Sequence, residues 1–152
     1  MNLRCLLLLA LAGLALPAAA SEPDGTLECS YEVKARCTSG TASVEFKDGL
    51  VRKVVFGNFY CGADGTPAYG CRIELERGTS EDRWRQFGER TEIDLSKPAN
   101  RRQKDTVVVG VEKDGLRLDL TNTQSTGKCG AAGELPQWVL IERKAKKCKL
   151  RL

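Results

Sequence analysis

The chain has no histidine among its 152 residues. That removes Ser-His and Cys-His nucleophile pairs, the imidazole base that works at neutral pH, and histidine-rich metal sites. No catalytic motif of recognisable spacing takes their place. Long apolar runs are also missing: apart from Leu6 to Leu16, nothing approaches the roughly 20 residues that a membrane-spanning helix needs. Charge is nearly balanced, with 24 Lys and Arg against 20 Asp and Glu, and the formal net charge of +4 does not by itself point to nucleic acid. Beyond the first twenty residues no Asn-x-Ser/Thr acceptor occurs, because Asn58, Asn100 and Asn122 all lack the hydroxyl residue two places on. This favours a bacterial envelope over a eukaryotic secretory route.

The first twenty residues read as a secretory leader. Arg4 supplies a positive start, the apolar run follows, and Ala18, Ala19 and Ala20 precede a polar stretch. The expected organisation is a signal peptide over 1–20 and a single disulfide-stabilised β domain over 21–152, exported to the periplasm or secreted. Cys5 precedes the apolar run, where a lipid-attachment cysteine would not stand, so no membrane anchor is expected.

Six cysteines follow the leader: Cys29, Cys37, Cys61, Cys71, Cys129 and Cys148. An even set in an exported chain predicts three disulfides. Zinc is the competing use, but no pair shows short metal-knuckle spacing. Calcium at Asp24 or Asp64 would lack a spaced cluster of oxygen ligands. No metal or other cofactor is expected.

From Leu27 to Cys37 apolar and small residues fall at every second position, which predicts one strand with a buried and a wet face. On a straight strand the α-carbons of Cys29 and Cys37 would lie about 26 Å apart, far beyond the roughly 4.4–6.8 Å of a disulfide. Those two therefore do not pair with each other. Antiparallel pairing of the first and last strands would bring Cys29 to Cys148, leaving Cys37 for Cys129 and Cys61 for Cys71.

Two Lys-Asp-Gly tripeptides, at Lys47–Gly49 and Lys113–Gly115, predict hairpin turns in which Asp-Gly supplies positive φ. Further strands are expected over Arg72 to Arg77, over Thr91 to Leu95, and from Gln137 toward Cys148. Ser80 to Gly88 offers an N-cap, early acids and a terminal glycine, which predicts one short helix. The sum is an all-β fold, an antiparallel barrel or sandwich of about seven or eight strands with at most one helix.

Four of the chain's aromatic residues, Phe56, Phe59, Tyr60 and Tyr69, fall between Phe56 and Cys71. At least one of Phe56 and Phe59 is expected to plug one end of the fold. Rigid aromatics on a braced loop suit protein binding, and Tyr60, Asp64 and Tyr69 are the candidate contacts. Arg101 and Arg102, in the basic loop from Lys97 to Lys104, are the charged alternative, and a second basic run crowds the C-terminus from Arg143 to Arg151. The carboxylate pairs Glu74 with Glu76 and Glu92 with Asp94 alternate with aliphatics and read as solvated edges rather than as an acid and base. The expected function is that of a non-enzymatic binding protein, an inhibitor or immunity-type protein that blocks an exported hydrolase through a disulfide-braced loop. In general shape this resembles the small exported lysozyme inhibitors, compact β proteins with a disulfide. A carboxylate-dependent enzyme acting on glycans and a barrel carrier of a small apolar ligand are the alternatives.

Overall fold

The alternation of apolar and polar residues does become strand, almost throughout. In the computed structural model the described residues are 23–61, 64, 67–79, 82–96, 105–123 and 135–152, with the side chains of 67–69 excluded. They form two antiparallel sheets and no α-helix. The first sheet is a simple meander of β1 (Gly25–Val33), β2 (Thr38–Lys47), β3 (Leu50–Cys61) and β4 (Pro67–Glu76). The second is ordered β10-β9-β8-β7-β6-β5 and comprises β5 (Arg83–Phe87), β6 (Arg90–Asp94), β7 (Thr106–Glu112), β8 (Gly115–Asn122), β9 (Trp138–Glu142) and β10 (Cys148–Arg151). Each strand of either sheet pairs with its neighbour in sequence, so turn chemistry largely sets the register.

Period-two patterning buries one face of each sheet. Cys29, Ala42, Phe56 and Ile73 form one inward row across the first sheet, and Leu27, Val44, Val54 and Leu75 form the next. Against them pack Ile93, Val107, Val109, Leu116, Leu118, Val139 and Ile141 from the second sheet, all effectively inaccessible to solvent. The fold is thus a filled sandwich of two open sheets, not a closed barrel. The described residues enclose no barrel lumen in which an apolar ligand could be carried.

The strand expected from Leu27 to Cys37 ends early. It stops at Val33, a single 3-10 turn spans Lys34–Arg36, and Cys37 adopts a left-handed conformation with φ 45° that returns the chain into β2. Ala35 and Cys37 continue the alternation in sequence only, since both are exposed on the turn. Three further expectations need correction. Of the stretch Ser80 to Gly88, the described residues 82–88 form no helix: Trp84 lies opposite Ile93 on the inner side of β5 while Arg83 and Arg85 point outward, and Gly88 (φ 57°) serves a hairpin turn instead of a helix cap. The first and last strands do not close the structure as an antiparallel pair. Instead Ser30 makes one parallel bridge to Lys147, its N–H donating to the Lys146 carbonyl at 2.9 Å. The last segment is two strands, β9 and β10, rather than one.

That bridge brings Cys29 and Cys148 into a disulfide, with α-carbons 5.2 Å apart, as expected from joining the chain's beginning to its end. The other two expected pairings fail. Cys37 bonds Cys61, not Cys129, with α-carbons 5.5 Å apart. Thr38 lies opposite Tyr60 in the β2–β3 ladder, and the Cys61 N–H donates to the Cys37 carbonyl, so those two residues are neighbours. Cys71 instead stands opposite Asn58, three residues along β3 from Cys61 and roughly 10 Å away. It is disulfide-bonded to a residue outside those described.

The two Lys-Asp-Gly turns use glycine differently. Asp48 and Gly49 both take positive φ, 56° and 70°, as a two-residue hairpin loop between paired Lys47 and Leu50 requires. In the second hairpin Glu112 pairs with Gly115, so the loop is Lys113 and Asp114, and neither has positive φ. Gly115 is there for space: a β-carbon would run into the Ile141 carbonyl oxygen and lie 3.0 Å from the Glu142 α-carbon.

Candidate binding surface

The β3–β4 hairpin carries most of the aromatic cluster, and strand parity decides where each ring goes. Phe56 points inward and is fully buried, stacked near Tyr31 with ring centroids 6.3 Å apart. Asn58 must then also point inward, where it is fully buried and would be costly without partners. It has them. The Tyr31 hydroxyl donates to Asn58 Oδ1 at 2.6 Å, and Asn58 Nδ2 donates to the Tyr60 hydroxyl. Gly40, between Tyr31 and Asn58 in the register, makes room for this chain, because a β-carbon there would strike the Tyr31 hydroxyl and the Gly57 carbonyl. Tyr60 is therefore a half-buried strut near the loop end of the hairpin rather than a free contact residue.

Burial, and secondarily the nearby Tyr60, pushes the Tyr31 phenol above its ordinary value of 10.0. A raised value means that the protonated, hydrogen-bonded form is favoured by folding. Its stabilisation is complete below pH 10 and is lost as pH rises through the higher folded-state value. Alkaline titration of phenolate absorbance should show one tyrosine ionising only as the fold is lost, and Tyr31→Phe should abolish that late phase. A normal titration of all three tyrosines in the folded protein would contradict the arrangement.

Beyond this strut, in the turn between β3 and β4, Asp64 is exposed. Cys61, two residues past Phe59 and the last of β3, is tied to Cys37, so the disulfide clamps the loop end of the hairpin to the β1–β2 turn. Tyr69 is paired with Tyr60 through the backbone, its side chain lying outside the described residues, as do Arg101 and Arg102 entirely. Of the five sequence candidates the structure therefore brings Tyr60 and Asp64 to one end of one hairpin. Of the C-terminal basic run, Arg143 donates to the Glu112 and Lys113 carbonyls and Lys149 pairs with Glu142 at 2.6 Å, so part of that charge is engaged within the fold.

Two features escaped the sequence reading. Phe59 is not a core plug: opposite in parity to Phe56, it projects from the outer face of the first sheet and is 48% exposed. Its ring lies across Gly70, whose hypothetical β-carbon would be 3.0 Å from two ring carbons. Next to it, the same outer face holds a groove of about 480 Å³. Thr41, Ser43 and Val55 form its floor, Glu28, Ser30 and Lys146 one wall, and Lys53, Arg72 and Glu74 the other. Glu74 accepts from Lys53 at 2.6 Å and from Arg72 at 3.0 Å. Hydrogen bonds from Lys53 and then Arg72 hold its carboxyl below the usual range, and the same contact with Glu74 raises the Lys53 ammonium. A carboxylate so held is suited to ion pairing rather than to donating a proton. Asp94, of the other carboxylate pair, is bound by Arg83 at 2.7 Å on the second sheet.

The chain matches no protein-family model, no curated protein and no solved structure with which it was compared.

Proposed function

We propose that this is an exported, non-enzymatic binding protein that uses the tip of the β3–β4 hairpin to occupy the cleft of a secreted or envelope-acting hydrolase. The observation that supports this most strongly is the way the hairpin is held. Its strand ends next to the loop are clamped by Cys37–Cys61 and by the buried Tyr31–Asn58–Tyr60 chain, while Asp64 between them is exposed. Strand ends fixed before binding lose little entropy on contact, which favours affinity. The disulfides belong to an oxidising compartment, in keeping with the leader read over residues 1–20 and with a periplasmic or secreted location.

Residues 21–152, immobilised through the C-terminus, should capture a hydrolase from envelope extracts of the source organism and lower its turnover. Asp64→Arg should weaken that capture by about tenfold or more, as expected for a central contact. Capture and inhibition unaffected by Asp64→Arg, or the absence of any inhibited hydrolase, would overturn the reading.

A further inference from the structure

The groove on the outer face of the first sheet is not part of the hairpin tip, and its chemistry differs. We propose that it is a binding site for a neutral oligosaccharide, with Phe59 as the stacking platform at one end. The register sets two adjacent outward rows side by side: Glu32–Ser39–Phe59–Gly70, and Ser30–Thr41–Gly57–Arg72. Gly57, with no side chain of its own, is buried beneath its neighbours, the Phe59 ring at 3.8 Å and the Thr41 hydroxyl at 3.4 Å from where a β-carbon would stand, so the ring sits directly beside Thr41 on the groove. Gly70 lets the ring lie down on the sheet, so that its other face is open to solvent.

A flat aromatic face beside hydroxyls is the pairing that a pyranose ring requires. The ring's axial C–H groups carry slight positive charge and stack on the electron-rich face of Phe59. Its hydroxyls, each both donor and acceptor, meet Thr41 and Ser43, the donors of Arg72 and the acceptor oxygens of Glu74. Charge decides between ligand classes. Lys53, Arg72 and Lys146 stand against Glu28 and Glu74, with Glu76 3.8 Å from Lys53, so three cations meet three carboxylates and the groove offers hydrogen bonds in fixed directions with no net charge for a polyanion. The floor has one small apolar side chain, Val55, which is too little for an apolar ligand or for the aromatic anchors of a protein partner. A volume of about 480 Å³ accommodates one or two sugar rings.

The test is amide chemical-shift mapping of residues 21–152 titrated separately with tetra-N-acetylchitotetraose, with cellotetraose and with a heparin tetrasaccharide. At least one neutral sugar should shift the amides of Thr41, Ser43, Gly57, Phe59 and Arg72 together, saturating by about 10 mM. Phe59→Ala should weaken that binding about tenfold. Asp64→Arg should leave it unchanged, which separates this site from the hairpin tip. Shifts with heparin alone, shifts centred away from these residues, or no saturating shift with either neutral sugar would each overturn the proposal.

Discussion

Replacing Cys29 and Cys148 together by alanine should lower the unfolding free energy by about 4–5 kcal/mol and the melting temperature by about 15 °C. The reason lies mainly in the unfolded chain. A cross-link removes more unfolded-state entropy the longer the loop it closes, and this one spans a sequence separation of 119. The chain-entropy estimate is about 5 kcal/mol, against about 3.5 kcal/mol for Cys37–Cys61 with its separation of 24. The native state adds a second reason. β1 is an edge strand of the first sheet and β10 an edge strand of the second, and among the described residues the one β-bridge beside the disulfide joins Ser30 to Lys147, the residue before β10. No continuous ladder would replace the covalent tie. Chemical denaturation of the double variant beside a Cys37→Ala, Cys61→Ala variant measures both losses. A loss below about 1 kcal/mol for the 29–148 pair, or a larger loss for 37–61, would contradict this ordering of the links.

The second large effect separates two tripeptides that read alike. Gly115→Asn should cost about 3 kcal/mol, whereas Gly49→Asn should cost no more than about 1 kcal/mol. At Gly49 the requirement is a backbone angle, φ 70°, which asparagine adopts more readily than most residues. At Gly115 the requirement is empty space. Any β-carbon meets the Ile141 carbonyl oxygen and comes within 2.9 Å of the carbonyl carbon, so β8 and β9 must separate in the middle of the second sheet. Nearby Leu116, Leu118, Val139 and Ile141 are fully buried and would be displaced with them. Equilibrium unfolding of the two variants checks the contrast, and equal costs would show that both glycines answer to the same constraint.

These glycines also show where sequence reading stops. Both hairpins were legible, because Asp-Gly between alternating segments marks a reversal whichever way the glycine is used. What Gly115 does was not legible, since it depends on β9, a strand more than twenty residues away. The same limit explains Leu27 to Cys37. Alternation records which residues are apolar, but only the left-handed angle at Cys37 and its bond to Cys61 show that the last four positions form a turn. Ser80 to Gly88 carries real helix-terminus signals, overridden because Trp84 and Ile93 pair across a ladder. Tertiary pairing outweighs local preference there.

The candidate surface was legible by parity, and only in part. Once Phe56 is inward, Asn58 and Tyr60 follow it and Phe59 faces out. That chain of reasoning needs one known side of one residue, which the aromatic cluster alone does not provide. The groove was less accessible still. Thr41, Val55 and Arg72 come from three strands and become neighbours through register, so no local spacing announces them. The compartment and the all-β class, by contrast, rest on cysteine number and period-two patterning, which are local properties.

The role proposed for the hairpin is tested most directly by hydrogen exchange on residues 21–152, alone and mixed with the hydrolase that they capture. Slower exchange confined to the end of the β3–β4 hairpin, at residues 59–64 and in the backbone opposite them, is the result expected. Protection centred instead on β10 and the basic C-terminal run, or no protection at the hairpin, would contradict it.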